Sequence, residues 1–356
     1  MAGLASISNV APLEQQLLRA EDTLALKWRG QRSRYFGRSS KINNHLRISL
    51  QMQNNSRLRQ IVLTVALASA PLLGATASNA EDDAAAARRQ SLRHSYGTYS
   101  GDLRTAEGHL DCNRLITELG ELHANTYNWL ISRTNPDWDD LHTFLPLAKK
   151  KGVRVWVTLL PPSELKPKTK LNSAPVPQDY EKWAAELAEL SVQEPALAAW
   201  SVDDFAYNLK TFTPELMRKI IAAQREKNPR FAFVPCVYYT QAKPAFAKQY
   251  GEFLDGILFP YRSDSTKSGF TDIGSVVAEV KTLKERFGDD FPIIVDIYAT
   301  RHSKLGPSTP EYVEQVMKAA YPVADGVHIY CHQNKLNPQQ RLKYDIIERV
   351  MSSWSK

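Results

Sequence analysis

From residue 94 onward, short runs rich in β-branched and aromatic residues alternate with segments whose apolar residues recur every three to four positions. The runs predict strands over 94–100, 124–131, 153–160, 197–205, 231–239, 255–262, 292–300 and 325–332. Between them the spacing predicts helices over 113–122, 139–152, 179–190, 214–228, 274–288, 310–321 and 338–354, with a weaker one over 242–254. Thr213-Pro214 and Thr309-Pro310 read as an N-cap followed by a first-turn proline, and Gly152 and Gly288 as C-terminal stops. Strand–helix alternation calls for parallel strands covered by helices. Eight repeats in about 260 residues fit an α/β (β/α)8 TIM barrel better than the alternative, an open doubly wound sheet. The first strand leads into SYGTYSGD rather than a glycine-rich phosphate fingerprint, so no dinucleotide or other cofactor is expected.

The chain before residue 81 has a different character. Arg57 and Arg59 precede an apolar run over 61–74, and Ser78 and Ala80 stand at the −3 and −1 positions of a cleavage site. That order is a signal peptide over 52–80, too short to span a membrane. Residues 1–51 are polar and without periodicity, a disordered extension or sequence upstream of a start at Met52. Residues 81–93 are expected as a linker, and 94–356 as the barrel domain. The expected location is secreted or periplasmic, with no stable membrane insertion after the signal is removed.

Charge sharpens this division. The chain has 45 Lys and Arg against 38 Asp and Glu, a net charge of +7, but the whole excess lies before residue 81, where ten basic residues face three acids. The remaining chain is balanced, so it carries no electrostatic footprint for a phosphate backbone and no nucleic-acid partner is expected. Cys112, Cys236 and Cys331 are far apart in sequence, which excludes a disulfide scaffold and zinc-finger spacing. No metal is expected, and the sequence leaves the oligomeric state open.

In a (β/α)8 barrel the chemistry sits where the strands end. The fourth run ends in Asp203-Asp204, and period-two alternation gives Asp203 the parity of the small Ala199 and Ser201, hence an inward direction. Asp204 is expected outward or in the loop, orienting its neighbour. Asp296 lies in IIVDIYAT between apolar residues, where an acid must face a polar cavity or a partner. These three are the candidate catalytic residues. Asn128, Trp129, Tyr239, Tyr261, Arg262, Tyr298, His328 and Tyr330 fall at or near strand ends and are the candidate substrate-binding groups, with Tyr127 and Tyr238 as further aromatics.

HANTYNWLI, RVWVTLLPP on the third strand and AAWSVDDF on the fourth resemble, in layout, the glycoside hydrolase superfamily of barrels over roughly 94–354. The resemblance implies a glycosidase cutting O-glycosidic bonds of a poly- or oligosaccharide, with Asp203 and Asp296 in place of the strand-four acid and strand-seven glutamate. Two carboxyls flanking a glycosidic oxygen suffice for such hydrolysis, and their separation decides between retention and inversion. Two alternatives stay open. One is a carbohydrate-binding barrel without catalysis. The other is a metal-dependent hydrolase using Asp296, His328 and His332.

Overall fold

The computed structural model describes residues 80–101, 103–132, 135–164 and 179–354, so the expected extension and the signal peptide as far as residue 79 lie outside the described residues. All eight expected strands form. They are β1 (Ser95–Tyr99), β2 (Thr126–Ile131), β3 (Arg154–Leu159), β4 (Leu197–Val202), β5 (Ala232–Phe233), β6 (Ile257–Tyr261), β7 (Ile293–Tyr298) and, after a short antiparallel hairpin of β8 (Arg301–His302) and β9 (Gly306–Pro307), β10 (Gly326–Tyr330).

The sheet runs β5-β4-β3-β2-β1-β10-β7-β6 with every neighbouring pair parallel. Beyond β5 the chain pairs with β6: Leu258 N donates to Pro235 O at 3.0 Å and Val237 N to Leu258 O at 2.9 Å. The curled sheet thereby meets itself as a TIM-like barrel. β1 and β2 approach so closely that a Cβ at Gly97 would collide with the Thr126 carbonyl, which is why that interior position is glycine.

Period two sorts the strand residues into two cores. Trp129, Trp200, Tyr127, Tyr261 and Val202 face outward into the apolar layer under the helices. Trp156, Ala199, Ala232, Val234, Leu258 and Ile294 fill the barrel itself. The helices match the spacing closely, with Pro214–Lys227 and Pro310–Ala320 capped by Thr213 and Thr309 side chains as expected.

Residues 81–93 are not a linker. They belong to a helix over 80–92 whose Ala84, Arg88 and Leu92, spaced four apart, are all buried. Leu92 joins the interior cluster at the N-terminal end of the barrel and closes it. Arg88 reaches across to the loops below β5 and β6. Its Nε donates to Asp255 Oδ1 at 2.7 Å, and a terminal nitrogen donates to Pro229 O at 2.5 Å.

Candidate active site

The carboxyl ends of the strands enclose a cavity of about 350 Å³ lined by Asp203, Asp204 and Asp296 together with Glu164, Cys236 and a set of tyrosines. Asp203 follows β4 directly, inward as its parity requires. Asp204 sits in the loop, one of the two placements expected for it, and lines the same cavity. The reason is local: Asp204 adopts a left-handed conformation, φ 44°, ψ 32°, which breaks the alternation and turns its side chain back over the barrel. Its own N–H donates to Asp203 Oδ1 at 3.0 Å, so it orients its neighbour as well.

Glu164 comes from the loop after β3. Asn208 ties this loop to the Asp203-Asp204 turn: Asn208 Oδ1 accepts from Ser163 N at 3.1 Å, and its Nδ2 donates to Ser163 Oγ and Asp204 O, both at 2.9 Å. Asn208 is buried and carries no chemistry itself; it fixes where two acidic loops meet.

The cavity raises the proton affinity of its acids. Burial, then the adjacent Asp204 charge, raises Asp203 to about 6, partly offset by the Tyr99 hydroxyl, the Asp204 N–H and the Cys236 thiol, which favour its ionised form. Asp296 is 2% exposed, and burial followed by the charge of Asp203 holds it well above the ordinary carboxylate range. Glu164 rises to about 7 through desolvation, then repulsion from Asp203 and Asp204. Asp203 thus gives up its proton near pH 6, while burial and the charge of Asp203 favour the protonated form of Asp296.

This arrangement has a cost in stability that can be measured. Asp296 binds a proton in the folded chain but releases it on unfolding at any pH between its usual 3.8 and its raised folded value. Folding then requires proton uptake, and stability falls as pH rises through that window. Asp296→Asn removes the requirement. The variant is expected to melt a few degrees higher at neutral pH, equivalent to about 1–2 kcal/mol, with the gain shrinking toward pH 4. Thermal melts of both proteins between pH 4 and 8 check this; a variant melting below wild type throughout would contradict it.

The aromatic candidates divide by strand face. Tyr298 and Tyr330 line the cavity, as do Tyr99 and Tyr238. Trp129 and Tyr261 do not: Trp129 Nε1 donates to Asp137 O at 3.0 Å and the Tyr261 hydroxyl to Asp272 O at 2.8 Å, both in the helix layer. Tyr127 lies in that layer too, and Tyr239 packs against it under the Arg286 guanidinium. Arg262 sits behind the wall, paired with Asp264 at 2.9 Å and 4.1 Å above the Tyr238 ring.

Asn128 and His328 point inward but lie deeper. Asn128 Oδ1 accepts from Thr158 Oγ1 at 2.5 Å. His328 lies against Trp156, ring centroids 4.6 Å apart, and burial followed by the charge of Arg154 pushes its pKa down to about 3, so it stays neutral. His332 is elsewhere: its Nδ1 meets Thr98 Oγ1 at 3.1 Å and its Nε2 meets Glu118 Oε2 at 3.0 Å, beneath helix Cys112–Glu121. Asp296, His328 and His332 therefore cannot share one metal ion. Sequence reasoning missed Glu164, Cys236 and Tyr99. Cys236 shares the parity of Ala232 and Val234 and could have been found that way; Glu164, in an irregular loop, gave no signal.

No family model and no curated protein matches this chain. Solved structures do resemble it. A GH5_18 protein from Streptomyces cattleya, determined in complex with GlcNAc, superposes with a TM-score of 0.54 at 11% identity, over 74% of this chain and 81% of that one. A family 39 glycoside hydrolase from Bacteroides cellulosilyticus WH2 gives 0.51 at 12%, over 74% and 64%. A beta-D-glucuronidase from Dictyoglomus thermophilum gives 0.50 at 17%, over 74% of this chain and 50% of that one. This chain spans about half the length of the glucuronidase. At these identities the likeness is one of fold alone, a (β/α)8-type barrel.

Proposed function

We propose that this barrel hydrolyses O-glycosidic bonds of an oligo- or polysaccharide with Asp203 and Asp296 as its working pair. One observation carries the proposal: two carboxyls from the ends of β4 and β7 line a single cavity, where burial raises the proton affinity of both. Two carboxyls in one site supply an acid and a base at a pH where one holds a proton and the other has lost it. Asp296, whose protonated form burial favours, donates its proton to the departing glycosidic oxygen. Asp203, ionised above about 6, attacks the sugar or takes the proton of the attacking water. Asp204 holds Asp203 in place and, by its charge, sets how readily it ionises. Tyr298 and Tyr330 offer aromatic faces for the sugar ring. The shared barrel fold with glycoside hydrolases supports the same class of reaction.

A glycan panel with product analysis tests this directly, and the pH profile tests the assignment. With Asp203 as the base, kcat/KM climbs as pH rises through about 6. Asp204→Asn takes away a neighbouring negative charge, so Asp203 ionises more easily and the climbing limb shifts to lower pH. A limb unmoved in Asp204→Asn would assign it to another group. Glycan binding by calorimetry with no product from any member of the panel would favour the binding barrel.

A further inference from the structure

We propose that the acidic end of this cavity binds a divalent cation of zinc-like chemistry through Asp203, Asp204 and Cys236, beside Asp296 in the same cavity wall. One ligand atom from each of Asp203, Asp204 and Cys236 lies within 4.8 Å of the others, although Cys236 is remote from the two aspartates in sequence. A modest closure brings such a trio to the roughly 2.0–2.3 Å distances at which zinc takes oxygen and sulfur.

A second, independent observation points to a ligand. Asp296 is 2% exposed and lines the same cavity, yet its Oδ1 has no hydrogen-bond partner among the described residues. A buried carboxyl oxygen in that position is costly until a donor or an ion meets it. The electrostatics agree. Asp203, Asp204, Asp296 and Glu164 line one cavity, and although Arg301 and His302 line it too, among the described residues no lysine or arginine is ion-paired with any of the four acids.

The donor set selects the metal. A thiolate beside carboxylates suits zinc or cobalt, and it supplies too few oxygens for calcium, which takes six to eight. Binding forms metal–oxygen and metal–sulfur bonds from ligand lone pairs and releases the Cys236 thiol proton, with any carboxyl proton present, to solvent. No electron changes hands, and affinity increases with pH. One consequence rests on the hydrolase proposal: with Asp203 held on the metal its oxygen cannot serve as base, so zinc silences cleavage. Binding itself does not depend on that proposal.

Cobalt titration of the chelator-treated full-chain protein is the test. Saturation at one equivalent is expected, with a thiolate-to-cobalt charge-transfer band in the near ultraviolet that added zinc abolishes. Cys236→Ser is expected to lose the band and weaken calorimetric zinc binding by at least about tenfold, or 1.4 kcal/mol, whereas Cys112→Ser and Cys331→Ser keep both. Asp204→Asn, a change at a partly exposed side chain, is expected to weaken zinc equally and serves if Cys236→Ser does not fold. Absence of the band in wild type, its persistence in Cys236→Ser, or unchanged zinc affinity in Asp204→Asn would overturn the site. A protein that binds zinc but cuts no glycan, loaded or metal-free, would retain the cation site and remove the glycosidase.

Discussion

Asp203→Asn is expected to lower kcat on the preferred glycan by about 10²–10⁴-fold while leaving glycan binding within a few-fold of wild type. Asparagine keeps the shape and can still accept the Asp204 N–H on its carbonyl oxygen, so the turn after β4 survives. What it cannot do is take a proton or attack a sugar at neutral pH. The replacement also removes the repulsion that helps keep Asp296 protonated, so Asp296 ionises more readily and the acid is weakened together with the base. Steady-state kinetics and calorimetry on the same preparations separate these effects from lost binding. Equal turnover by the variant and wild type would remove Asp203 from the chemistry.

Arg88→Ala is expected to destabilise the barrel by about 3–5 kcal/mol, a fall in Tm on the order of 10 °C. The guanidinium and its partner Asp255 are 2% and 5% exposed, so truncation strands a buried carboxylate and frees the Pro229 carbonyl. The pH dependence identifies the cause. Burial already raises Asp255 above its usual 3.8, and Arg88 opposes that rise. Without Arg88 the folded pKa climbs further, the folded chain binds more protons than the unfolded one, and stability drops as pH increases. The deficit of the variant should therefore be smallest near pH 4 and widen toward pH 8. Chemical denaturation across that range checks it, and Arg88→Met with Asp255→Asn, which removes both charges, should recover much of the loss. A small, pH-independent change would mean that the helix over 80–92 contributes only through Ala84 and Leu92.

Much of this protein was determined by its sequence alone. Strands that bury both faces read as short apolar runs, and the helices between them show one apolar face, so the eight-fold alternation and its order were legible. Parity alone also placed Asp203 inside, because only small side chains share its face on β4. The same rule separates Asn128 from Trp129 and Pro260 from Tyr261: adjacent strand residues cannot both enter the barrel, so the aromatic member of each pair lies in the helix layer.

Tertiary structure decided the rest, for three physical reasons. Backbone conformation replaced alternation at Asp204, where a left-handed loop residue carries its side chain into the cavity. Strand stagger decided depth: His328 and Asp296 are register partners, yet only Asp296 lines the cavity, because strands in a barrel are tilted and a shared register is not a shared height. Convergence of remote segments supplied what local pattern does not encode, bringing Glu164 from an irregular loop and Cys236 from β5's extension to the same acids, and Arg88 to Asp255 from a stretch whose alanines gave no hint of a buried charge. Periodicity reports which face of an element is apolar, and so it fixed the barrel; the charges that meet inside it are set by loop conformation and strand tilt, which depend on the whole closed sheet.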